Sequence, residues 1–206
     1  MYYKRYTGTL LTHKSNNEPQ WIKWIHHDRG PTCCEDCKHL NGCFFLKDNA
    51  PHNPHHPYCH CILDPIAYTK VLESAVAKSQ YSKFDPYLFN TTGIYTHTKE
   101  KLFAQWGYTV EDAKWLQSEM ERQALEKYLS GDYSLGKLNK DGQRLTIRIE
   151  IPRKTGEGVV SFDSGWMVFP NGLIPLTTPY GGKQNENDGL CGGFGGEEIL
   201  CARWCP

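Results

Sequence analysis

No stretch of the sequence approaches the ~20 consecutive apolar residues that a membrane-crossing helix requires, so a spanning segment is not expected. Met1 to Leu11 carries Lys4 and Arg5 with no apolar run behind them, which argues against a secretory signal. Net charge is missing as well. The 23 Lys and Arg balance 23 Asp and Glu, so charge alone predicts no general adhesion to nucleic acid or anionic membrane, and only a local site for RNA stays open. There is no internal repeat, no heptad pattern, no glycine-rich phosphate loop and no Gly-x-Ser-x-Gly elbow. Aliphatic residues are scarce over residues 1–64, and a segment with so little to bury needs a staple.

What the 206-residue chain has is nine Cys and nine His, unevenly placed. Cys33, Cys34, Cys37, Cys43, Cys59 and Cys61 fall in one short stretch with His39, His52, His55, His56 and His60. Cys34-Glu35-Asp36-Cys37 is a C-x2-C pair, the spacing that lets two thiolates from one turn meet a single Zn²⁺. His56-Pro57-Tyr58-Cys59-His60-Cys61 supplies a second half-site. The candidate ligands are therefore Cys34, Cys37, His56, Cys59 and Cys61, around a structural zinc. Zinc binding of this kind contributes roughly 10–16 kcal/mol at neutral pH, enough to hold a loop-rich module. Buried free thiols and a disulfide framework in an exported chain are the other readings of the cluster. A catalytic zinc is disfavoured, because nothing resembles a three-ligand site with a nearby general base. Cys33 and Cys43 are surplus and are expected to pack.

Composition divides the chain into a Cys/His module (1–64), a linking helix with an irregular linker (65–87), an α+β domain (88–183) and a Gly/Cys-rich tail (184–206). The fold class is α+β, helices packed on a mainly antiparallel sheet. Asp64-Pro65 reads as a helix start, with a helix over 65–80. A short helix is expected at Lys99–Trp106, ending at Gly107. Thr109 to Asp112 resembles a capping box, opening a helix over 110–130 whose apolar face is Ala113, Leu116, Met120, Ala124 and Tyr128, with Gly131 as its stop. The period then becomes two: Leu145, Ile147, Ile149 and Ile151 alternate with Arg144, Thr146, Arg148 and Glu150. Val159–Phe169 is a second strand, Asn171-Gly172 a hairpin turn and Ile174–Tyr180 the return strand, which Pro175 places at an edge. The tail carries Cys191 and the pair Cys201 and Cys205, for which a redox pair, a second metal and plain packing stay open.

The α+β segment collects groups that metal-independent RNA cleavage uses: a base for the ribose 2′-hydroxyl, cations for the phosphate, and an acid for the leaving group. His97 precedes a helix bearing Lys99 and Lys101. Arg144, Thr146 and Arg148 share one strand face, where two guanidiniums could meet one phosphate. Ser164, Trp166, Thr178 and Tyr180 lie on the hairpin and offer hydroxyls and a stacking ring. Trp21, Trp24, His26, His27 and Arg29 beside the knuckle could stack on bases and neutralise phosphates.

The order C-x2-C, Leu40-Asn41-Gly42, Phe44-Phe45, then Pro54-His55-His56-Pro57-Tyr58-Cys59-His60-Cys61 resembles the C-terminal end of phage Mu F-like head morphogenesis (minor capsid) proteins, over about residues 28–64. His60 stands where that family carries Arg. A second resemblance covers about 88–183. Gln143-Arg144-Leu145-Thr146-Ile147-Arg148, Ser164-Gly165-Trp166 and Leu176-Thr177-Thr178-Pro179-Tyr180 are similar to the phage- and toxin-associated nuclease domains grouped with barnase, EndoU, colicin D/E5 and RelE, members of which are fused behind Mu F-like modules. Together these resemblances imply a phage or prophage protein, in the host cytoplasm or on the virion, with an RNA substrate and either a virion partner or an immunity protein. They imply a ribonuclease-like toxin domain with His97, Arg144, Arg148, Thr178 and Tyr180 as its site. The alternative is a non-catalytic protein of the phage head or virion.

Overall fold

The computed structural model describes residues 20–27 and 34–181. Cys33, Arg29 and the tail with Cys191, Cys201 and Cys205 lie outside the described residues. Among the described residues no helix is long and apolar enough to cross a membrane. The architecture is α+β, as the switch of period from helical to alternating requires.

A three-stranded antiparallel sheet comes first. Its strands are β1 (Trp21–Ile25), β2 (Phe44–Leu46) and β3 (Ile62–Ile66), in the order β2-β1-β3. The short helix α1 (Glu35–Leu40) lies between β1 and β2. Trp21 and Trp24 are not displayed for base stacking: both are buried in the core, beside Phe44 and Phe45. The helix expected over 65–80 is also shorter. Asp64 and Pro65 belong to β3, opposite Lys23 and Ile22. Pro65 is tolerated there because β3 is an edge strand and can spare an N–H. The helix proper, α2 (Tyr68–Ser74), follows Ala67 and gives way to the strand β4 (Val76–Lys78).

The second sheet has five strands in the order β4-β8-β7-β6-β5, with β5 at Ser134–Asn139, β6 at Gly142–Pro152, β7 at Val159–Val168 and β8 at Leu173–Thr178. The stretch read as a linker thus supplies its β4 edge, paired parallel to β8. Every other pairing is antiparallel. Pro175 therefore lies in an inner strand, not an edge. It stands opposite Lys78, the last residue of a β4 only three residues long. The turn at Asn171-Gly172 has positive φ at both residues (60° and 79°), as a primed hairpin turn requires. Gly172 also lets Ala75 approach, since a Cβ there would lie 2.9 Å from the Ala75 Cα.

Two helices cover one face of this sheet. The first is α3 (Lys99–Gln105). The second, α4 (Ala113–Ser130), is preceded by a 3-10 turn that forms the expected capping box between Thr109 and Asp112. Gly131 ends α4 in the left-handed region. Ala113, Leu116, Met120, Ala124 and Tyr128 are fully buried, and face a sheet surface on which Leu145, Ile147, Ile149 and Ile151 pair with Trp166, Ser164, Phe162 and Val160. Truncating a residue such as Leu116 to Ala would cost about 2–5 kcal/mol. The buried Gln123 answers a local need. β5 pairs with β6 only as far as Thr146, and the Gln123 side chain bonds both the N–H and the carbonyl of Glu150 farther along (2.9 and 2.6 Å). Ser164 and Trp166 bond each other and the Ile147 carbonyl inside this core, so neither is displayed to a ligand.

The two sheets share one core. Asn171 of the hairpin turn donates to the Gly42 carbonyl, and the Cys43 thiol lies against the Val168 carbonyl at 3.6 Å.

Candidate metal centre

The candidate metal ligands come from three places at one end of the small sheet. Cys34 is the extended residue that precedes α1, and Cys37 is one turn inside it, with the Lys38 N–H bonded back to the Cys34 carbonyl. His56 and Cys59 flank a turn closed by the Cys59 N–H on the His56 carbonyl (3.1 Å). Cys61 sits immediately before β3 and is registered by the β1 pairing.

Ligand atoms of Cys34, Cys37 and His56 lie within 4.8 Å of one another, and so do those of Cys37, Cys59 and Cys61. Cys37 belongs to both sets, so the five expected residues form two adjoining triads that meet at Cys37. A tetrahedron of thiolates at Zn–S ≈ 2.3 Å separates its sulfurs by about 3.8 Å. The Cys37 and Cys59 sulfurs are 3.9 Å apart. Four cysteines and one histidine in these triads offer enough soft or borderline donors for the four places of a tetrahedral ion.

The surroundings orient these groups. The Nδ1 of His56 donates to the Pro57 carbonyl (2.7 Å), which leaves Nε2 as the nitrogen able to ligate. His26 Nδ1 lies 3.4 Å from the Cys61 sulfur, and its own N–H is held by the Asn41 side chain. Asn53 donates to the Cys61 carbonyl. Electrostatics agree with a site for a cation. Burial raises the Cys37 thiol well above its ordinary value, and the neighbouring Cys61, Cys59 and Cys34 raise it further. Burial likewise raises Cys61. Burial also acts on Cys59, but the backbone N–H groups of Cys61 and His55 outweigh it and hold that thiol low, at about 7. A divalent ion would reverse the mutual repulsion that these thiolates otherwise impose.

Among the described residues all five cysteines are free thiols. Cys43 packs as expected, bonded to the His39 and Val168 carbonyls and pushed up by burial to about 12. His26 was legible as a histidine near the knuckle, but no spacing rule connects it to a cysteine thirty-five positions away.

The groups expected around RNA are placed as follows. Arg144, Thr146 and Arg148 share the β6 face turned away from the helices, opposite Met167, Gly165 and Asp163. Gly165 in turn faces Thr178, so Thr146 and Thr178 lie in one row across three strands. Tyr180 packs with Phe103 and Phe162 of the helix-covered side, and burial, then Asp163, raises its phenol. The His97 ring stacks on Tyr95 at 5.5 Å and meets the edge of Tyr87, with Nδ1 3.4 Å from the Glu100 carboxylate. Both of its ring nitrogens are sealed from solvent. The fold brings Arg144, Arg148 and Thr178 to one surface, while Tyr180 and His97 are packed among aromatic rings.

Residues 70–183, more than half of the chain, match the family described as a domain of unknown function, DUF6883. The chain belongs to the DUF6883 family. Its matched region contains the whole five-stranded sheet with α3 and α4, so the cysteine centre lies outside the DUF6883 domain proper. No curated protein and no solved structure matches the chain.

Proposed function

We propose that the cluster of Cys34, Cys37, His56, Cys59 and Cys61 holds one structural zinc ion, and that the DUF6883 domain beside it binds RNA on the sheet face carrying Arg144 and Arg148. The observation that carries the metal reading is the pair of close donor triads, Cys34-Cys37-His56 and Cys37-Cys59-Cys61, that meet at Cys37. Soft thiolates with imidazole in a four-coordinate pocket suit Zn²⁺ better than the oxygen-seeking cations. The ion is structural in this reading, because the thiolates and His56 suffice to close a tetrahedron and the neighbouring imidazole, His26, is turned to the Cys61 sulfur. Elemental analysis of protein prepared without chelator tests this: about one zinc per chain is expected, and well under one ends the proposal.

The RNA reading takes support from the Arg144, Arg148 and Thr178 surface and from the likeness to phage and toxin nuclease domains. In its stronger form the domain is a metal-independent ribonuclease working by transesterification. His97 would take the 2′-hydroxyl proton, Arg144 and Arg148 would hold the phosphate, and Thr178 or Tyr180 would assist. A second reading, a non-catalytic protein of a phage head or virion, is favoured by the enclosed His97 ring and the packed Tyr180. Incubation with total cellular RNA in magnesium-free buffer with trace zinc separates the two. Fragments ending in 2′,3′-cyclic phosphates support the ribonuclease. Intact RNA supports the non-catalytic reading, for which co-purification with capsid or portal proteins is the next measurement. An immunity protein is a partner only under the first.

A further inference from the structure

Tyr58 is the residue whose placement the metal centre does not explain. It is 87% exposed, the most exposed large hydrophobic side chain among the described residues. It also has φ +62°, in the left-handed region. It sits third in the turn His56-Pro57-Tyr58-Cys59, closed by the Cys59 N–H on the His56 carbonyl. Proline at the second position fixes a negative φ, so this is a type II turn, whose third position favours glycine or asparagine. Tyrosine there adds strain and buries nothing. Backbone strain of this kind persists where surrounding structure over-determines it and is a pointer to function. Here both ends of the turn are candidate metal ligands, His56 and Cys59, which a bound ion would clamp.

We propose that Tyr58 is a stacking platform for an unpaired nucleobase, presented to single-stranded nucleic acid at the apex of the metal-clamped turn. The surroundings fit a base better than a protein partner. A protein interface anchors its tyrosines in an apolar core of some hundreds of Å². Tyr58 instead stands with Pro57 and His60 at an exposed tip, where Ile62 is the one other large apolar side chain in the open. A base needs only one free ring face and nearby donors, and stacking is tolerant of sequence. The fold has turned Trp21 and Trp24 inward, which leaves Tyr58 as the exposed tyrosine ring among the described residues of this module. The proposal rests on the zinc reading, since the ion is what would hold the turn.

The test uses the full chain with its zinc content measured on each preparation. Fluorescein-labelled twelve-residue oligouridine and oligothymidine are titrated against wild type, Tyr58→Gly and Tyr58→Phe. Tyr58→Gly is expected to weaken binding about 5- to 150-fold. Its zinc content should be unchanged and its thermal midpoint equal or higher, because glycine relieves the positive φ. Tyr58→Phe keeps the ring and should bind within roughly twofold of wild type. Binding of both oligomers marks a base platform indifferent to the sugar; binding of oligouridine alone marks RNA. Equal affinity of wild type and Tyr58→Gly overturns the proposal. So does failure of the zinc-loaded wild type to bind either oligomer, which would leave the ring to a protein partner. Loss of zinc from wild type itself would count against the metal reading, a result distinguishable from these.

Discussion

The hydroxyl of Tyr128, deep in α4, donates to the carbonyl oxygen of Phe44 in β2 at 2.5 Å. The same ring meets Trp21 edge-on at 5.2 Å. One side chain of the DUF6883 domain is thus built into the sheet that carries the cysteine cluster. Tyr128→Phe keeps the packing and leaves a buried carbonyl without this donor. A loss of about 1–3 kcal/mol is expected in denaturant unfolding; a change within a few tenths would show that water replaces the hydroxyl.

Zinc removal should be felt in both sheets. A strong chelator is expected to lower the thermal midpoint of the whole chain, because the two sheets share one core. Cys37→Ser should reproduce the effect without chelator and abolish zinc binding, since Cys37 belongs to both ligand sets. Cys43→Ser is the control. Cys43 is equally buried, but its hydroxyl would find the same His39 and Val168 carbonyls, so zinc content should stay at the wild-type value. Zinc lost equally from both variants would place the ion elsewhere.

Stability near pH 4 should depend on Asp112. Burial alone would raise its carboxyl, but the Lys154 ammonium at 2.8 Å and the Thr109 N–H outweigh it and hold it below the usual value. A carboxyl lowered in the folded state contributes stability that is complete above its unfolded pKa and disappears as pH falls through the folded one. Asp112→Asn should therefore flatten the acid limb of the stability profile while costing about 1 kcal/mol at pH 7 through the weakened capping box. An acid limb identical to wild type would exclude this carboxyl as its source.

RNA binding, if it uses the open sheet face, should respond to salt. Removing both guanidiniums in an Arg144→Ala, Arg148→Ala variant is expected to reduce the log–log salt slope by about 2. The fold should be unaffected, because Arg144 is exposed and Arg148 half-buried on the uncovered face. An unchanged slope would move the phosphate contacts to another surface.

Much of this fold was legible because its signals are local. The Thr109 to Asp112 box, the Gly131 stop and the alternation over Leu145 to Ile151 each follow from side chains a few residues apart. The closeness of the Cys/His cluster was legible for the same reason, as spacing alone puts paired donors on short turns. What failed depends on distant partners. Asp64-Pro65 has the chemistry of a helix start, yet β1 claims it as a strand. Pro175 has the chemistry of an edge, yet β4, a hundred positions earlier in the chain, covers it. Trp21 and Trp24 read as display residues because the core they fill is supplied largely by β2, α4 and the hairpin. The positive φ of Tyr58 is visible only in three dimensions, although the His-Pro-Tyr-Cys string hints at a turn.

The parallel pairing of Val76 with Leu173 sets an order of assembly during synthesis. The candidate metal ligands are all available once Cys61 has left the ribosome, and the β1–β3 ladder can form at Ile66. The β4 strand emerges next but must wait for nearly the whole DUF6883 domain before β8 exists to receive it. Contacts so far apart in sequence form late and slowly. The nascent chain therefore carries the small sheet and its cysteine cluster beside an unfinished larger sheet, and a ribosome halted before Leu173 would leave β4 and one edge of β7 unpaired.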